Sequence, residues 1–299
     1  MKVLVTGGTG MVGRHLKDII PEAIYIGSKD CDLTDYNATY NFVEQTKPDI
    51  VIHLAAKVGG ILDNIQRPAE YFDDNIIMNY NIIKACRLNN VSRFIGVLST
   101  CVYPDKLPSY PMTESDLFLG PPAATNFSYG YAKRCLAVQI DAYNSQYGTE
   151  YNYVIPCNLY SEYDNFDHKD KMHFVTSLLE KIRTAQHGSL ELLGTGRPLR
   201  QYMYAGDLAS ILKLMIDENV YDSFNVCTEE ILSINDMALT TLQVVGKELD
   251  ITYTNAVDGQ YRKDVSNKKL MSYFPDFKFT PFADGIGYVY KKLMINRNK

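Results

Sequence analysis

Residues 6–13 of the chain read "TGGTGMVG", and this stretch decides the fold. The run "KVLVTG" (2–7) leads into it, and "MVGRHLKDII" (11–20) follows with apolar residues at helical spacing. A helix N-terminus behind a glycine turn offers amide donors and a positive dipole end to a pyrophosphate, which the bare backbone allows to come close. The stretch therefore predicts a dinucleotide site built by Gly7, Gly10, Met11, Val12 and Gly13.

Strands and helices alternate outward from this stretch through the first half of the chain. The pattern predicts strands at 2–7, 23–27, 49–56, 93–99 and 151–156, and helices at 11–20, 36–46, about 69–90 and 129–147. The third strand, "DIVIHLAA", is apolar nearly throughout, as expected of a strand covered on both faces. This alternation predicts an α/β fold with a doubly wound parallel sheet of the Rossmann type.

The alternation breaks down after about residue 157. A polar loop at 160–173 and a helix at 174–186 precede a strand, a glycine turn, a second strand and a helix within 188–209. We therefore expect a dinucleotide-binding domain over 1–157, with about 195–225 packing back onto it. Residues 158–299 are expected to form a smaller C-terminal α/β substrate lobe.

Composition excludes some classes of partner. The 299 residues carry a net charge of −5 and have an isoelectric point of about 5.6, so no basic field for nucleic acid is expected. The apolar runs are too short to span a bilayer, and the N-terminal run is too short for a signal peptide, so we expect a cytoplasmic protein. Six dispersed cysteines without metal-ligand spacing predict reduced thiols, mostly in the core, and no metal site.

The end of the second strand indicates which dinucleotide is bound. It reads "IYIGSKDCDLTD" (24–35), so the strand runs into Gly27, Ser28 and Lys29. A hydroxyl and a cation suit a ribose 2′-phosphate, whereas an NAD site usually has an acidic residue here. Asp30 follows directly, which keeps NAD open, but the sequence favours NADP.

Two further stretches carry reactive side chains. "SYGYAK" (128–133) places Tyr129 and Lys133 on one face of a predicted helix. An ammonium beside a phenol is expected to lower the pKa of the tyrosine, which could then exchange a proton with a carbinol oxygen during hydride transfer. "LSTCVYPDK" (98–106) places Ser99 and Cys101 where a strand passes into a loop, and the thiol there serves either packing or chemistry.

Together these stretches resemble the extended short-chain dehydrogenase/reductase family that acts on nucleotide sugars, and within it the GDP-L-fucose synthases. The resemblance runs nearly end to end. The narrower resemblance is carried by "HLAAKVGGILDN" (53–64), "LSTCVYPDK" (98–106), "GPPAATNFSYGYAKR" (120–134), "IPCNLYSEYDNF" (155–166), "GTGRPLRQYMYAGDLA" (194–209), "DGQYRKDVSNKKL" (258–270) and "YFPDFKFTPF" (273–282).

The resemblance implies a bifunctional, NADPH-dependent 3,5-epimerase/4-reductase that converts GDP-4-keto-6-deoxy-D-mannose to GDP-L-fucose. Ser99, Tyr129 and Lys133 would form the reductase triad, Cys101 the epimerisation base, and His173 the acid on the opposite face. His168 competes for the last role, but His173 directly precedes the predicted helix, as the family histidine does.

The resemblance also implies residues that bind the two ligands. For the cofactor they are Gly7, Gly10, Met11, Val12, Gly13, Ser28, Lys29, Asp32, Leu33, Leu54, Ala55, Ala56, Tyr129, Lys133, Pro156 and Asn158. For the GDP-sugar they are Ser99, Asn158, His173, Lys181, Arg200 and Lys263. A homodimer formed through the helices at about 69–90 and 129–147 is implied as well.

Three positions in the substrate lobe depart from the family pattern. Leu193 stands where a tryptophan is frequent, Ser161-Glu162 replaces Gly-Pro, and Cys157 replaces the threonine of a Pro-Thr-Asn run. These departures leave other readings open: a C4 reductase of a related GDP-4-keto-6-deoxy sugar such as a heptose, an NAD-retaining 4-epimerase, or a catalytically silent nucleotide-binding protein.

Overall fold

A computed structural model describes residues 1–164, 166, 172–185, 188–254 and 260–297; His168 lies outside these ranges. The strands are β1 (Val3–Thr6), β2 (Ile24–Ile26), β3 (Ile50–His53), β4 (Arg93–Val97), β5 (Glu150–Pro156), β6 (Asn158–Tyr160), β7 (Ser189–Leu192), β8 (Leu199–Arg200), β9 (Tyr202–Tyr204), β10 (Phe224–Val226), β11 (Leu232–Ser233), β12 (Asp250–Tyr253) and β13 (Arg262–Lys263). The α-helices are α1 (Met11–Ile19), α2 (Tyr36–Thr46), α3 (Ile61–Gln66), α4 (Pro68–Leu88), α5 (Phe127–Tyr147), α6 (Phe174–Thr184), α7 (Ala205–Asp217), α8 (Ile234–Val245), α9 (Lys268–Tyr273) and α10 (Phe282–Arg297).

A six-stranded parallel sheet forms the centre of the fold, in the order β10-β5-β4-β3-β1-β2. Every residue of β1, β3 and β4 is buried, because helices cover both faces of the sheet. The chain passes from β1 outward to β2 and then returns to the other side of β1 as β3. This reversal opens a crevice at the carboxyl ends of the strands, where doubly wound sheets bind their ligands. The predicted doubly wound parallel sheet is confirmed.

The sequence did not predict the sixth strand. β10 has only three residues, too few for a periodic pattern, and its pairing with β5 defines it. Helix α7, just before it, packs against α1, and α4 packs against α5. The chain therefore returns to the central sheet after leaving it at the end of β5.

The remaining strands form small sheets beside the central one. β11, β8 and β13 form a three-stranded sheet, while β12 pairs with β7 and β6 pairs with β9. A separate apolar cluster, which includes Tyr160, Leu179, Met237, Phe282 and Ile286, packs α6, α8 and α10 together. None of the helices in the described ranges is long and apolar enough to cross a membrane.

Candidate active site

The glycine turn after β1 is shaped by close backbone contacts. Gly7 has a φ of +68°, and a Cβ there would lie 2.7 Å from the backbone nitrogen of Ala55. A Cβ on Gly13 would lie 2.5 Å from Cα of Gly8, so α1 begins directly against the turn. Larger residues at Gly7 and Gly13 would therefore move the turn away from β3 and α1.

The first turn of α1 fits a diphosphate group. Gly10 is the N-cap residue, and Met11, Val12 and Gly13 follow it, so their amides have no acceptor within the helix. A helix start with free amides beside a bare glycine turn is the arrangement that binds phosphate oxygens. Leu54 and Ala55, which are also predicted to bind the cofactor, directly follow β3, and their backbone lies against Gly7.

The loop after β2 presents its hydroxyl and cation outward. Ser28 and Lys29 are exposed, whereas the carboxylate of Asp30 accepts a hydrogen bond from the Gly27 amide at 2.8 Å. Asp30 is exposed as well, but its carboxylate is engaged by its own turn. The predicted Asp32 accepts from the amide and hydroxyl of Thr34, so it shapes the loop.

The structure brings the three residues predicted for the reduction together at the end of β4. Ser99 follows β4, and its side chain is close enough to Tyr129, near the start of α5, to lower the pKa of that phenol. Lys133, one turn further along α5, is 2% exposed and donates to the carbonyl of Val97 at 2.8 Å. Burial lowers the pKa of Lys133 to about 8.

The prediction that Lys133 lowers the pKa of Tyr129 is wrong. Burial raises the pKa of Tyr129 above its ordinary value, and Cys101 and Tyr71 raise it further, against a lowering by Ser99. The sequence argument failed because the ammonium of Lys133 hydrogen-bonds the Val97 carbonyl of β4. Tyr129 is therefore a neutral phenol at neutral pH, the form that can donate a proton.

Cys101 lies in the short 3-10 helix Thr100–Val102, immediately after Ser99. Its Sγ accepts a hydrogen bond from Nζ of Lys263, on β13, at 3.2 Å. Burial raises the pKa of this thiol, but the charge of Lys263 and hydrogen bonds from Ser99, Lys263 and Asn126 outweigh burial, so the pKa lies below its ordinary value. The five other cysteines, all in the described part of the chain, have raised pKa values.

A small open hollow lies beside the thiol. It is lined by Thr100, Cys101, Tyr103, Pro104, Met112, Ala123, Asn126, Gln260 and Lys263. Cys101 as a whole residue is half-buried. A thiol with a lowered pKa beside such a hollow is suited to accept a proton.

His173 is the N-cap residue of α6, and its Nδ1 lies 2.9 and 3.1 Å from the two carboxylate oxygens of Asp164. The hydrogen bond that His173 donates to Asp164 raises the pKa of His173, against the opposing effect of burial. The ring of the next residue, Phe174, contacts the ring of Tyr202, with centroids 5.7 Å apart. Burial raises the pKa of Tyr202, and Cys101 is close enough to raise the pKa of Tyr202 further. Helix α6 thus approaches the thiol through Tyr202.

The predicted substrate cations divide into two places. Arg200 on β8 and Lys263 on β13 are register partners in parallel strands, so their side chains lie on one face. Lys181 instead donates to the Glu191 carbonyl at 3.1 Å, at the exposed end of α6. Asn158 on β6 donates to the Gln201 carbonyl at 3.1 Å. Lys263, predicted to bind phosphate, pairs in register with Arg200. Its ammonium also contacts the Cys101 thiol.

Sequence reasoning missed two of the side chains at the site. Asn126, which hydrogen-bonds Cys101, is the N-cap residue of α5, and an asparagine before a helical run was a usable signal for that position. Asp164 gave no signal, because its contact with His173 spans nine residues of an irregular loop.

The family departures have visible consequences. Ser161 and Glu162 form a polar cluster with His15 of α1, whose Nε2 lies 2.9 Å from the Ser161 hydroxyl, while the Tyr204 hydroxyl donates to Glu162. This cluster joins α1 to the loop after β6. Leu193, in the turn after β7, is 71% exposed, so its apolar surface is free for a ligand to cover.

Comparisons with known proteins identify the family of this chain. A sequence model of the NAD dependent epimerase/dehydratase family matches residues 3–227. The chain is 39% identical to a GDP-L-fucose synthase of Dictyostelium discoideum, over 95% of this chain and 92% of that protein, and 36% identical to a probable GDP-L-fucose synthase of Drosophila melanogaster, over 95% and 94%. The crystal structure of a GDP-L-fucose synthetase from Naegleria fowleri bound to NADP superposes with a TM-score of 0.90 at 34% identity, covering 100% of this chain and 94% of that one. The chain belongs to the NAD dependent epimerase/dehydratase family and, within it, to the GDP-L-fucose synthases.

Proposed function

We propose that this protein is a bifunctional 3,5-epimerase/4-reductase that converts GDP-4-keto-6-deoxy-D-mannose to GDP-L-fucose with NADPH. The observation that carries the proposal is the Cys101 thiol, which accepts a hydrogen bond from Lys263 at 3.2 Å and lies two residues after Ser99, the serine beside Tyr129. The site thus has a base for enolisation next to a proton donor for carbonyl reduction. The related GDP-L-fucose synthases support the choice of substrate.

The epimerisation needs one base and one acid at opposite faces of the sugar. A keto group at C4 acidifies the protons on C3 and C5, so the Cys101 thiolate can remove one while the C–H electron pair forms an enolate with the C4 oxygen. The His173 imidazolium then returns a proton from the other face, and the centre is inverted.

The electrostatics of the site make this pair of ionised groups available together. With ordinary pKa values of about 8.5 and 6.5, a thiolate and an imidazolium coexist in only about 1% of molecules at about pH 7.5. Lys263 and its neighbours lower the pKa of Cys101, and Asp164 raises that of His173. Both shifts enlarge the fraction of molecules that carry the reactive pair.

The reduction uses the second half of the site. Bound NADPH supplies a hydride to C4. The neutral phenol of Tyr129 gives its proton to the C4 oxygen, and Ser99, close to that phenol, polarises the same oxygen. Met11, Val12 and Gly13 would hold the cofactor diphosphate with their amides.

We propose that the 2′-phosphate of the cofactor binds Ser28 and Lys29, exposed groups of the loop after β2. The diphosphate of the sugar nucleotide would bind between Arg200 and Lys263. The two residues are register partners in neighbouring parallel strands, so both cations lie on one face, which supports this location. Lys181 and Asn158 are proposed as further contacts to the nucleotide.

This assignment divides the chain by task. We propose that residues 1–157 bind the cofactor and that 158–299 bind the GDP-sugar. The glycine turn and the loop after β2 lie in the first segment, whereas Arg200 and His173 lie in the second. We also propose a cytoplasmic protein, because all six cysteines are free thiols, as in a reducing compartment.

A homodimer built on α4 and α5 is a further proposal. The two helices pack side by side, and they carry large apolar residues that are exposed in the single chain. These residues are Phe72, Ile77, Tyr80, Leu88, Phe127, Val138 and Tyr147. Sedimentation at micromolar concentration tests the dimer, and a monomer at that concentration contradicts it.

The test of the proposed function is product analysis. Incubation with GDP-4-keto-6-deoxy-D-mannose and NADPH is expected to consume one NADPH per sugar and to yield GDP-L-fucose, identified by NMR. A product reduced at C4 with its C3 and C5 centres unchanged would instead establish the C4 reductase. Absence of NADPH consumption would contradict both activities.

A further inference from the structure

The loop before α6 holds a buried carboxylate, Asp164, that neither gives nor takes a proton in the reaction above. Asp164 has only 4% of its side chain exposed. Its oxygens lie 2.9 and 3.1 Å from Nδ1 of His173, and the hydroxyl of Thr176 donates to Oδ2. A charge at this depth is costly unless it is paired, and the imidazole and the first turn of α6 provide the partners.

We propose that Asp164 is the positioning residue of His173: it fixes the tautomer and the orientation of the imidazole, so that Nε2 carries the proton delivered to the sugar. This role rests on the proposed epimerase function. It gives a buried carboxylate a task in the proton transfer without contact to the sugar or the cofactor.

The tautomer follows from hydrogen-bond chemistry. An ionised carboxylate can only accept, so Nδ1 of His173 must carry a hydrogen whether the ring is neutral or charged. The exchangeable proton is then the one on Nε2. When Nε2 gives it to the enolate carbon, the N–H electron pair stays on nitrogen and the enolate electrons form the new C–H bond. The neutral ring remains bonded to Asp164 through Nδ1–H.

Asp164 also offsets the effect of the α6 dipole on His173. His173 caps the N-terminus of α6, whose positive dipole end disfavours an imidazolium. The same dipole end favours a carboxylate, and Asp164 lies there beside Thr176. Among the residues that the structure describes, Asp164 is the ionisable group with a resolved effect on the pKa of His173, and it raises that pKa against burial.

NMR titration of the His173 imidazole tests the inference without any substrate. In full-length protein labelled with ¹⁵N-histidine, His173→Gln identifies the signals. The wild-type ring is expected to be protonated at Nδ1 when neutral and to have a pKa above the ordinary 6.5. Asp164→Asn keeps an acceptor for Nδ1 and removes the charge, so the pKa of His173 should fall. Glu180→Gln is the matched control, because Glu180 lies on the same helix but pairs with Arg183 at 2.6 Å.

A kinetic arm separates positioning from mere stability. Deuterium entry into the sugar from heavy water is expected to slow about 10–100-fold in Asp164→Asn, the usual effect of removing a partner that orients a histidine. The limb of its pH profile that reports His173 should move to lower pH, because the pKa of His173 falls, while NADPH affinity is unchanged. If Asp164→Asn has a lower melting temperature but the same pH profile of exchange as the wild type, Asp164 has a structural role only and the inference is overturned.

Two results on the wild-type protein would also overturn it, whether or not the variant folds. They are a neutral ring protonated at Nε2 and a His173 pKa below the ordinary 6.5. If the wild type exchanges no deuterium, the proposed function fails, and the titration still decides whether Asp164 sets the state of His173.

Discussion

Replacement of Lys263 by methionine tests the assignment of Cys101 as a base, because it removes the ammonium and keeps most of the length of the side chain. Nζ of Lys263 lies 3.2 Å from Sγ of Cys101. Two unit charges at this separation interact by about 1.3 kcal/mol in the dielectric of water and by about 5 kcal/mol at an effective dielectric of about 20. Cys101 as a whole residue is half-buried, so we use the interaction energy at the dielectric of water, about 1.3 kcal/mol. We therefore expect about a tenfold loss of thiolate at neutral pH.

The assay is alkylation of the free protein by iodoacetamide, which reacts with thiolates and needs no substrate. Cys135 is exposed, so the series is built on Cys135→Ala, and mass spectrometry follows the peptide that contains Cys101. Lys263→Met is expected to alkylate about tenfold more slowly at neutral pH, with its pH midpoint moved upward.

Lys181→Met is the matched control. Lys181 is also proposed to bind the nucleotide, but it donates to the Glu191 carbonyl and not to the thiol. This variant should bind the GDP-sugar more weakly and alkylate at the parent's rate. If a folded Lys263→Met protein alkylates like its parent at every pH, Lys263 does not stabilise the thiolate and the reasoning is refuted.

Three further substitutions and the pH dependence of exchange test other parts of the site. Tyr129→Phe should lower NADPH oxidation about 10²–10⁴-fold and leave deuterium exchange into the sugar intact; equal loss of both would contradict its role as proton donor in the reduction. Lys29→Glu should raise the KM for NADPH at least about tenfold but not the KM for NADH, and a parallel rise would argue against a 2′-phosphate contact. Exchange needs Cys101 deprotonated and His173 protonated, so its rate should pass through a maximum with pH. The lowered pKa of Cys101 and the raised pKa of His173 make the reactive pair more abundant at that maximum, and a rate that only rises or only falls with pH would contradict this pair. Leu193→Trp should lower the KM for the GDP-sugar by stacking on the base, with the KM for NADPH as control.

The central sheet could be predicted from the sequence because its strands are buried on both faces. A strand such as β3 must be apolar along its whole length, and its helices show their own period, so local pattern and global fold agree. The glycine turn was equally predictable, since Gly7 is held against Ala55 by geometry that only glycine permits. β10 was missed because its three residues become a strand through pairing with β5.

The reductase and epimerase residues were predicted through spacing and family resemblance, but their electrostatics were not. Helical spacing placed Tyr129 beside Lys133 and could not show that the ammonium hydrogen-bonds Val97. Lys263 is separated from Cys101 by 162 residues, so no local pattern could reveal that it sets the state of the thiol. Such contacts arise from tertiary packing alone.

Deuterium entry from heavy water into GDP-4-keto-6-deoxy-D-mannose, without NADPH, tests the central claim most directly. NMR of the sugar is expected to show deuterium at C3 and C5 with the wild-type protein and none with Cys101→Ser, although that variant should still oxidise some NADPH by reducing C4. Addition of NADPH to the wild-type reaction should then convert the deuterated sugar to GDP-L-fucose. NADPH consumption with no deuterium at C3 or C5 would contradict the account, because the protein would then be a C4 reductase and Cys101 would not be a base.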